Sequence, residues 1–209
     1  ISKKNNVDVK TICADYFMES PLHVKDMEQQ KINIDCFLKI LISAKELGAN
    51  DIVLPCVDNS SIRENIEKDL FLGVLIELLD EIKKSGVRIS LETDLPPKEF
   101  SDLLDKIDSD CISVNYDTGN SASLGYDAAE EFTAYGTRIS DIHIKDRIFG
   151  GGPVELGTGN VDFKKCLMAI NKNNYTGPLI FQAFRDDQGI DIFNKQFAFF
   201  MNEMRYALN

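Results

Sequence analysis

The chain has 209 residues, 44% hydrophobic and 27% charged, enough for one domain with a sizeable core. Its formal net charge of −11, from 23 Lys and Arg against 34 Asp and Glu, argues against nucleic acid or an anionic membrane as partner, because phosphate surfaces select basic patches. Five scattered cysteines (Cys13, Cys36, Cys56, Cys111, Cys166) show neither CxxC spacing nor a disulfide framework, so we expect a cytoplasmic setting and small buried thiols. No leader pattern or membrane-length apolar run is read, and the opening on Ile1 without a methionine suggests that an N-terminal piece lies upstream.

Strand-like and helix-like segments alternate along the chain. Val9–Tyr16 reads as a strand and Ile32–Leu47 has the apolar spacing of a helix. Asp51–Val57 is a second strand, followed by a helix from about Ile62 to Lys84. A third strand over Val87–Leu91 precedes a helix over Pro97–Ile107, and a fourth over Cys111–Tyr116 precedes one near Ala128–Tyr135. The fifth strand, Ile139–Ile144, runs into Gly150-Gly151-Gly152 and Leu156-Gly157-Thr158-Gly159, then a helix over Phe163–Asn171. A sixth strand covers Leu179–Phe184, and the last helix covers about Ile192–Leu208. With no composition shift or linker, residues 1–209 read as a single, partial domain. Strict β-then-α alternation predicts a parallel sheet wrapped by helices.

Polar residues inside the strands narrow the architecture. Arg88, Ser90 and Glu92 share one parity of the third strand; Ser113, Asn115 and Asp117 share one of the fourth. Asp141, His143 and Lys145 share a face of the fifth, and Gln182 opposes Leu179, Phe181 and Ala183 in the sixth. An open sheet with helices on both sides would be apolar on both faces, whereas a barrel's inner face tolerates polar groups near its catalytic mouth. The pattern favours a barrel. A closed (β/α)8 barrel needs eight strands, so either two βα units are missing from the N-terminus or the sheet is open.

Glu92, Asp117, His143 and Gln182 fall at or near the C-terminal ends of consecutive strands. Two carboxylates, an imidazole and an amide oxygen suit a divalent ion such as Mn²⁺, Mg²⁺, Co²⁺ or Zn²⁺. Each residue also has a plain structural reading: Glu92 as a helix cap, Asp117 as an Asx turn, His143 as a core imidazole and Gln182 as a satisfied interior amide.

The run DTGNSASLGYD (Asp117–Asp127), then Tyr135-Gly136, IHIKDR (Ile142–Arg147) and LGTGNVDF (Leu156–Phe163), resembles the xylose-isomerase-like sugar phosphate isomerase/epimerase superfamily. The L-ribulose/L-xylulose-5-phosphate 3-epimerases are the branch it looks most like. The resemblance covers roughly residues 85–190 well. It implies a TIM barrel with about six βα units in this chain, the first two missing, and with metal ligands on its fifth to eighth strands. Given about 250 residues for a typical barrel, roughly 60 further N-terminal residues are expected.

Carried over, the resemblance makes Glu92 a metal ligand and catalytic base, with Asp117 and His143 as metal ligands. Asn120 stands where relatives contact substrate; Lys145, Arg147 and Arg185 are candidates to hold a sugar hydroxyl or phosphate. Gln182 departs from the family's usual glutamate. An amide oxygen still coordinates a metal but cannot accept and return a proton, which puts a two-base epimerase mechanism in doubt and leaves Asp146 as a candidate substitute. The expected function is a divalent-metal-dependent isomerase or epimerase of a small keto-sugar or sugar phosphate, with Mn²⁺ as the first choice of metal. A dehydratase on the same site, or a sugar-binding protein that has lost catalysis, is the alternative. A homodimer or homotetramer is the expected assembly.

Overall fold

The computed structural model describes residues 2–207, which divide into two compact units. The first runs to Leu95 and resumes over Glu99–Val114; the second comprises Pro96–Lys98 and the chain from Asn115 onward.

The first unit contains strands β1 (Thr11–Cys13), β2 (Asp51–Cys56), β3 (Arg88–Thr93) and the opening residues of β4 (Ile112–Asp117). They lie side by side in that order, all parallel, with Cys13 opposite Val53, Leu54 opposite Leu91 and Leu91 opposite Val114. Every residue of β2 is buried, as expected of a central strand covered on both faces. Helices α1 (Tyr16–Glu19), α2 (Met27–Leu47), α3 (Asn65–Ser85) and α4 (Pro97–Ile107) separate the strands. Phe37 and Leu41 of α2, Phe71 and Leu75 of α3, and Ile52 and Ile89 of the strands form the core.

Helix α2 begins five residues before the periodic pattern predicted. Asp26 caps it by accepting the N–H groups of Glu28 (2.9 Å) and Gln29 (3.3 Å), and its polar first turn hides the start from an apolar-spacing argument. The helix stops at Gly48, whose φ of 76° only glycine adopts without strain. Strand β1 is shorter than the expected Val9–Tyr16, because the chain turns at Ala14 into α1. Asp51, nearly inaccessible, is held by both Arg88 Nε (2.8 Å) and Nη2 (3.0 Å). His23, one of two histidines, is buried edge-on against Phe71, and burial lowers its pKa.

The second unit contains the end of β4, β5 (Ile139–Ile144) and, numbered in chain order, the short antiparallel pair β6 (Asp146–Arg147) and β7 (Pro153–Val154), then β8 (Leu179–Phe181). The order is β4-β5-β8, with Ile142 opposite Leu179 and Ile144 opposite Phe181. Helices α5 (Thr118–Leu124), α6 (Ala128–Tyr135), α7 (Phe163–Lys172) and α8 (Ile190–Ala207) complete it. The six βα repeats expected from the alternation are present. Leu208, the expected end of the last helix, lies outside the described residues. Strand β8 ends at Phe181 instead of Phe184, although the Gln182 N–H still reaches the Ile144 carbonyl at 3.1 Å. Helix α5 and the β6–β7 pair were not expected from the sequence.

All five cysteines are free; Cys56 and Cys166 are buried as expected, whereas Cys13 is exposed because β1 is an edge strand. Among the described residues no helix is long and apolar enough to cross a membrane.

Candidate functional site

In the second unit, strand β4 delivers Asp117 directly into helix α5. One carboxylate oxygen, Oδ1, caps that helix by accepting the N–H of Asn120 at 2.8 Å, so the Asx-turn reading of Asp117 holds for half of its carboxylate. The other half is used differently. Oδ2 is buried, accepts no hydrogen bond among the described residues, and has Lys145 Nζ at 3.5 Å and His143 Nδ1 at 3.9 Å. A buried anionic oxygen without a donor costs several kcal/mol, on the order of 1–3 or more, unless charge compensates it. Lys145 supplies part of that compensation, and a carboxylate oxygen beside an imidazole is a donor pair of the kind that divalent metals take.

Strand periodicity sets the layers. Asn115 and Asp117 share a face of β4, Asp141 and His143 share one of β5, and the Asn115 amide donates to Asp141 Oδ1 at 3.0 Å one layer beneath the Asp117–His143 pair. Asp141 is fully buried. His143 is buried too, and both it and Lys145 approach Asp117 Oδ2.

Lys145 follows β5 and is pinned from several sides. The Thr118 hydroxyl donates to the Lys145 carbonyl at 2.6 Å and accepts its N–H at 3.0 Å. A Cβ on Gly119 would stand 2.8 Å from Lys145 Cγ, so only glycine lets the lysine stem pass. Lys145 Nζ donates to Gln182 Oε1 at 3.0 Å. Gln182, expected as a fourth ligand, therefore offers its oxygen to an ammonium in this structure.

Arg147 reaches back to α5: Nη1 donates to Asn120 Oδ1 at 2.8 Å while Nε donates to the Gly151 carbonyl at 2.9 Å. Asp146 is fully buried and accepts the N–H groups of Gly157 and Gly159 (both 2.9 Å at Oδ2) and Val161 (3.1 Å at Oδ1). Its carboxylate is thus committed to the glycine loop. Arg185 is exposed in the irregular segment after β8. In the first unit, Glu92 is buried next to the C-terminal end of β3.

Sequence reasoning missed Thr118 and Gly119, which follow Asp117 directly and pack against Lys145. It also missed Glu131 of α6, buried beneath α5. Glu131 accepts hydrogen bonds from Ser121 and, at 2.8 Å, from the Tyr135 hydroxyl, and burial pushes its carboxyl up to about 7. The Tyr135 at i+4 was a usable signal, since that spacing puts both side chains on one helix face.

The chain belongs to the family described as the xylose isomerase-like TIM barrel, whose model matches residues 1–203. No curated protein sequence matches it. Among solved structures, 3-keto-D-glucoside 4-epimerase from E. coli superposes with a TM-score of 0.78 at 15% identity, over 96% of this chain and 81% of that one. An L-ribulose 3-epimerase gives 0.75 at 16% identity, over 98% and 77%. The IOLI protein, solved with a bound zinc atom, gives 0.76 at 17% identity, over 97% and 91%. These likenesses bear on the fold.

Proposed function

We propose that the protein is a divalent-metal-dependent enzyme that isomerises or epimerises a small keto-sugar or its phosphate through an enediolate. We assign Glu92, Asp117 and His143 as ligands of the cation, on the motifs that carry them, and Mn²⁺ as the ion. The donor set fits: hard carboxylates with one imidazole, buried at strand ends where barrel enzymes carry their chemistry. When bound, the cation supplies Lewis-acid polarisation of the substrate carbonyl.

The chain's own residues do the rest. Glu92 removes the acidic proton from the carbon beside the carbonyl. Lys145 and Arg147 orient the substrate, Asn120 fixes Arg147, and Arg185 holds an outlying phosphate or hydroxyl. Asp146 shapes the mouth through the 157–161 loop instead of touching the reacting carbon. The observation that carries this reading is the buried Asp117 Oδ2, which accepts no hydrogen bond and faces His143. The sugar epimerases among the structural neighbours support the substrate class. Gln182 favours one-base proton shuttling along a single face, as in aldose–ketose isomerisation, or loss of a hydroxide in a dehydratase, since an amide carries no exchangeable acid proton near neutrality.

Incubation of ketopentoses, ketohexoses and their phosphates with the Mn²⁺-loaded protein in D₂O tests this. Deuterium entering the carbon beside the carbonyl, and disappearing in Glu92→Gln, is the expected result. No exchange across the panel contradicts it.

A further inference from the structure

Gln182 is the one place where this chain departs from the ligand set its motifs imply, and its amide oxygen accepts from Lys145 Nζ at 3.0 Å. Lys145 is restrained far beyond a surface lysine. Both of its backbone polar groups are taken by the Thr118 hydroxyl, its stem fits a gap that exists because residue 119 has no side chain, and its ammonium sits between Gln182 Oε1 and Asp117 Oδ2. Its side chain is 18% exposed. Fixing a lysine rotamer costs about 2 kcal/mol of entropy, so such restraint signals a group whose position matters.

We propose that Gln182 is a positioning residue for Lys145 and not a ligand of the cation, and that the ammonium it holds is the fixed positive charge that meets the anionic oxygens of the enediolate. This rests on the cation site proposed above. The choice of amide over carboxylate follows from charge. A glutamate at 182, 3.0 Å from Nζ, would set a second carboxylate beside an ammonium that already has Asp117 Oδ2 at 3.5 Å, whereas glutamine fixes its direction without adding negative charge. The same geometry accounts for the DTG run: Asp117 faces the cation, Thr118 clamps the lysine backbone and Gly119 makes room for its stem.

Calorimetric titration of Mn²⁺, then of oxalate as a planar dianionic enediolate mimic, separates the roles without a known substrate. Gln182→Ala is expected to keep Mn²⁺ affinity within threefold of wild type while weakening oxalate tenfold or more. Lys145→Met and Gly119→Ala, which leave the three ligands in place, are expected to weaken oxalate likewise and to retain Mn²⁺; Lys145→Arg should recover part of the loss. A hundredfold loss of Mn²⁺ in Gln182→Ala would make Gln182 a ligand and overturn the proposal. So would unchanged oxalate binding in Lys145→Met. Failure of the wild-type protein to bind Mn²⁺ would instead remove the cation site on which the proposal stands.

Discussion

Asp146 and Gly159 are locked together: the carboxylate accepts the Gly159 N–H at 2.9 Å, and a side chain at 159 would collide with Asp146 Oδ1. The glycine-rich loop is therefore wrapped around a buried anion, with Gly157 and Val161 supplying the other donors. Hydrogen bonds to charged groups are worth about 1.5–3 kcal/mol each. Asp146→Ala should destabilise the protein by about 3 kcal/mol in urea unfolding, and hydrogen exchange should rise over residues 157–161. Unchanged protection of that loop would refute the clamp.

Glu131 gives a pH signature. Its folded-state pKa, held up to about 7 chiefly by burial, lies above the ordinary 4.5. The folded protein therefore binds this proton more tightly than the unfolded chain does. The resulting stability is complete below about pH 4.5 and is lost as pH rises to about 7, amounting to about 3 kcal/mol at 1.4 kcal/mol per unit. Glu131→Gln, which keeps acceptor and shape without ionising, should stabilise the protein relative to wild type at pH 8 and much less at pH 5. Equal stability differences at both pH values would show that Glu131 does not titrate in this range.

The extent to which sequence anticipated structure differs by residue. Asp117 and His143 were legible because strand parity and chain order fix them: a residue at the end of a β-strand has few places to point. Lys145 was legible as a face but not as a clamped side chain, since Thr118 and Gly119 act on it from a helix whose first turn carries no apolar periodicity. Helix α5 was missed for that reason. The engagement of Asp146 was not legible, because its local sequence says nothing about the loop that returns, 11 to 15 residues later, to hydrogen-bond both of its oxygens.

Arg147 and Asn120 should act as a unit. The 2.8 Å hydrogen bond couples a residue after β5 to the first turn of α5. Asn120→Ala and Arg147→Ala are each expected to raise KM for the exchanging ketose about tenfold, with a double mutant little worse than either single one. The coupling in the cycle should fall in the range of about 0.5–3 kcal/mol. Strict additivity would mean the two side chains work independently.

Away from the site, Asp51 depends on Arg88. Removing the arginine leaves a buried carboxylate with its bidentate partner gone, which costs about 3 kcal/mol, reduced here because Arg88 is half exposed. Arg88→Ala should therefore lower the melting temperature more than the double variant Asp51→Asn/Arg88→Ala. A double variant less stable than Arg88→Ala would contradict this ordering.

The most direct test of the central claim is Mn²⁺ binding to chelator-treated protein, followed by calorimetry for wild type, Glu92→Gln, Asp117→Asn and His143→Gln. The account predicts one ion per chain in wild type and at least a hundredfold weaker binding in each variant. Wild-type affinity retained by any of the three would contradict it.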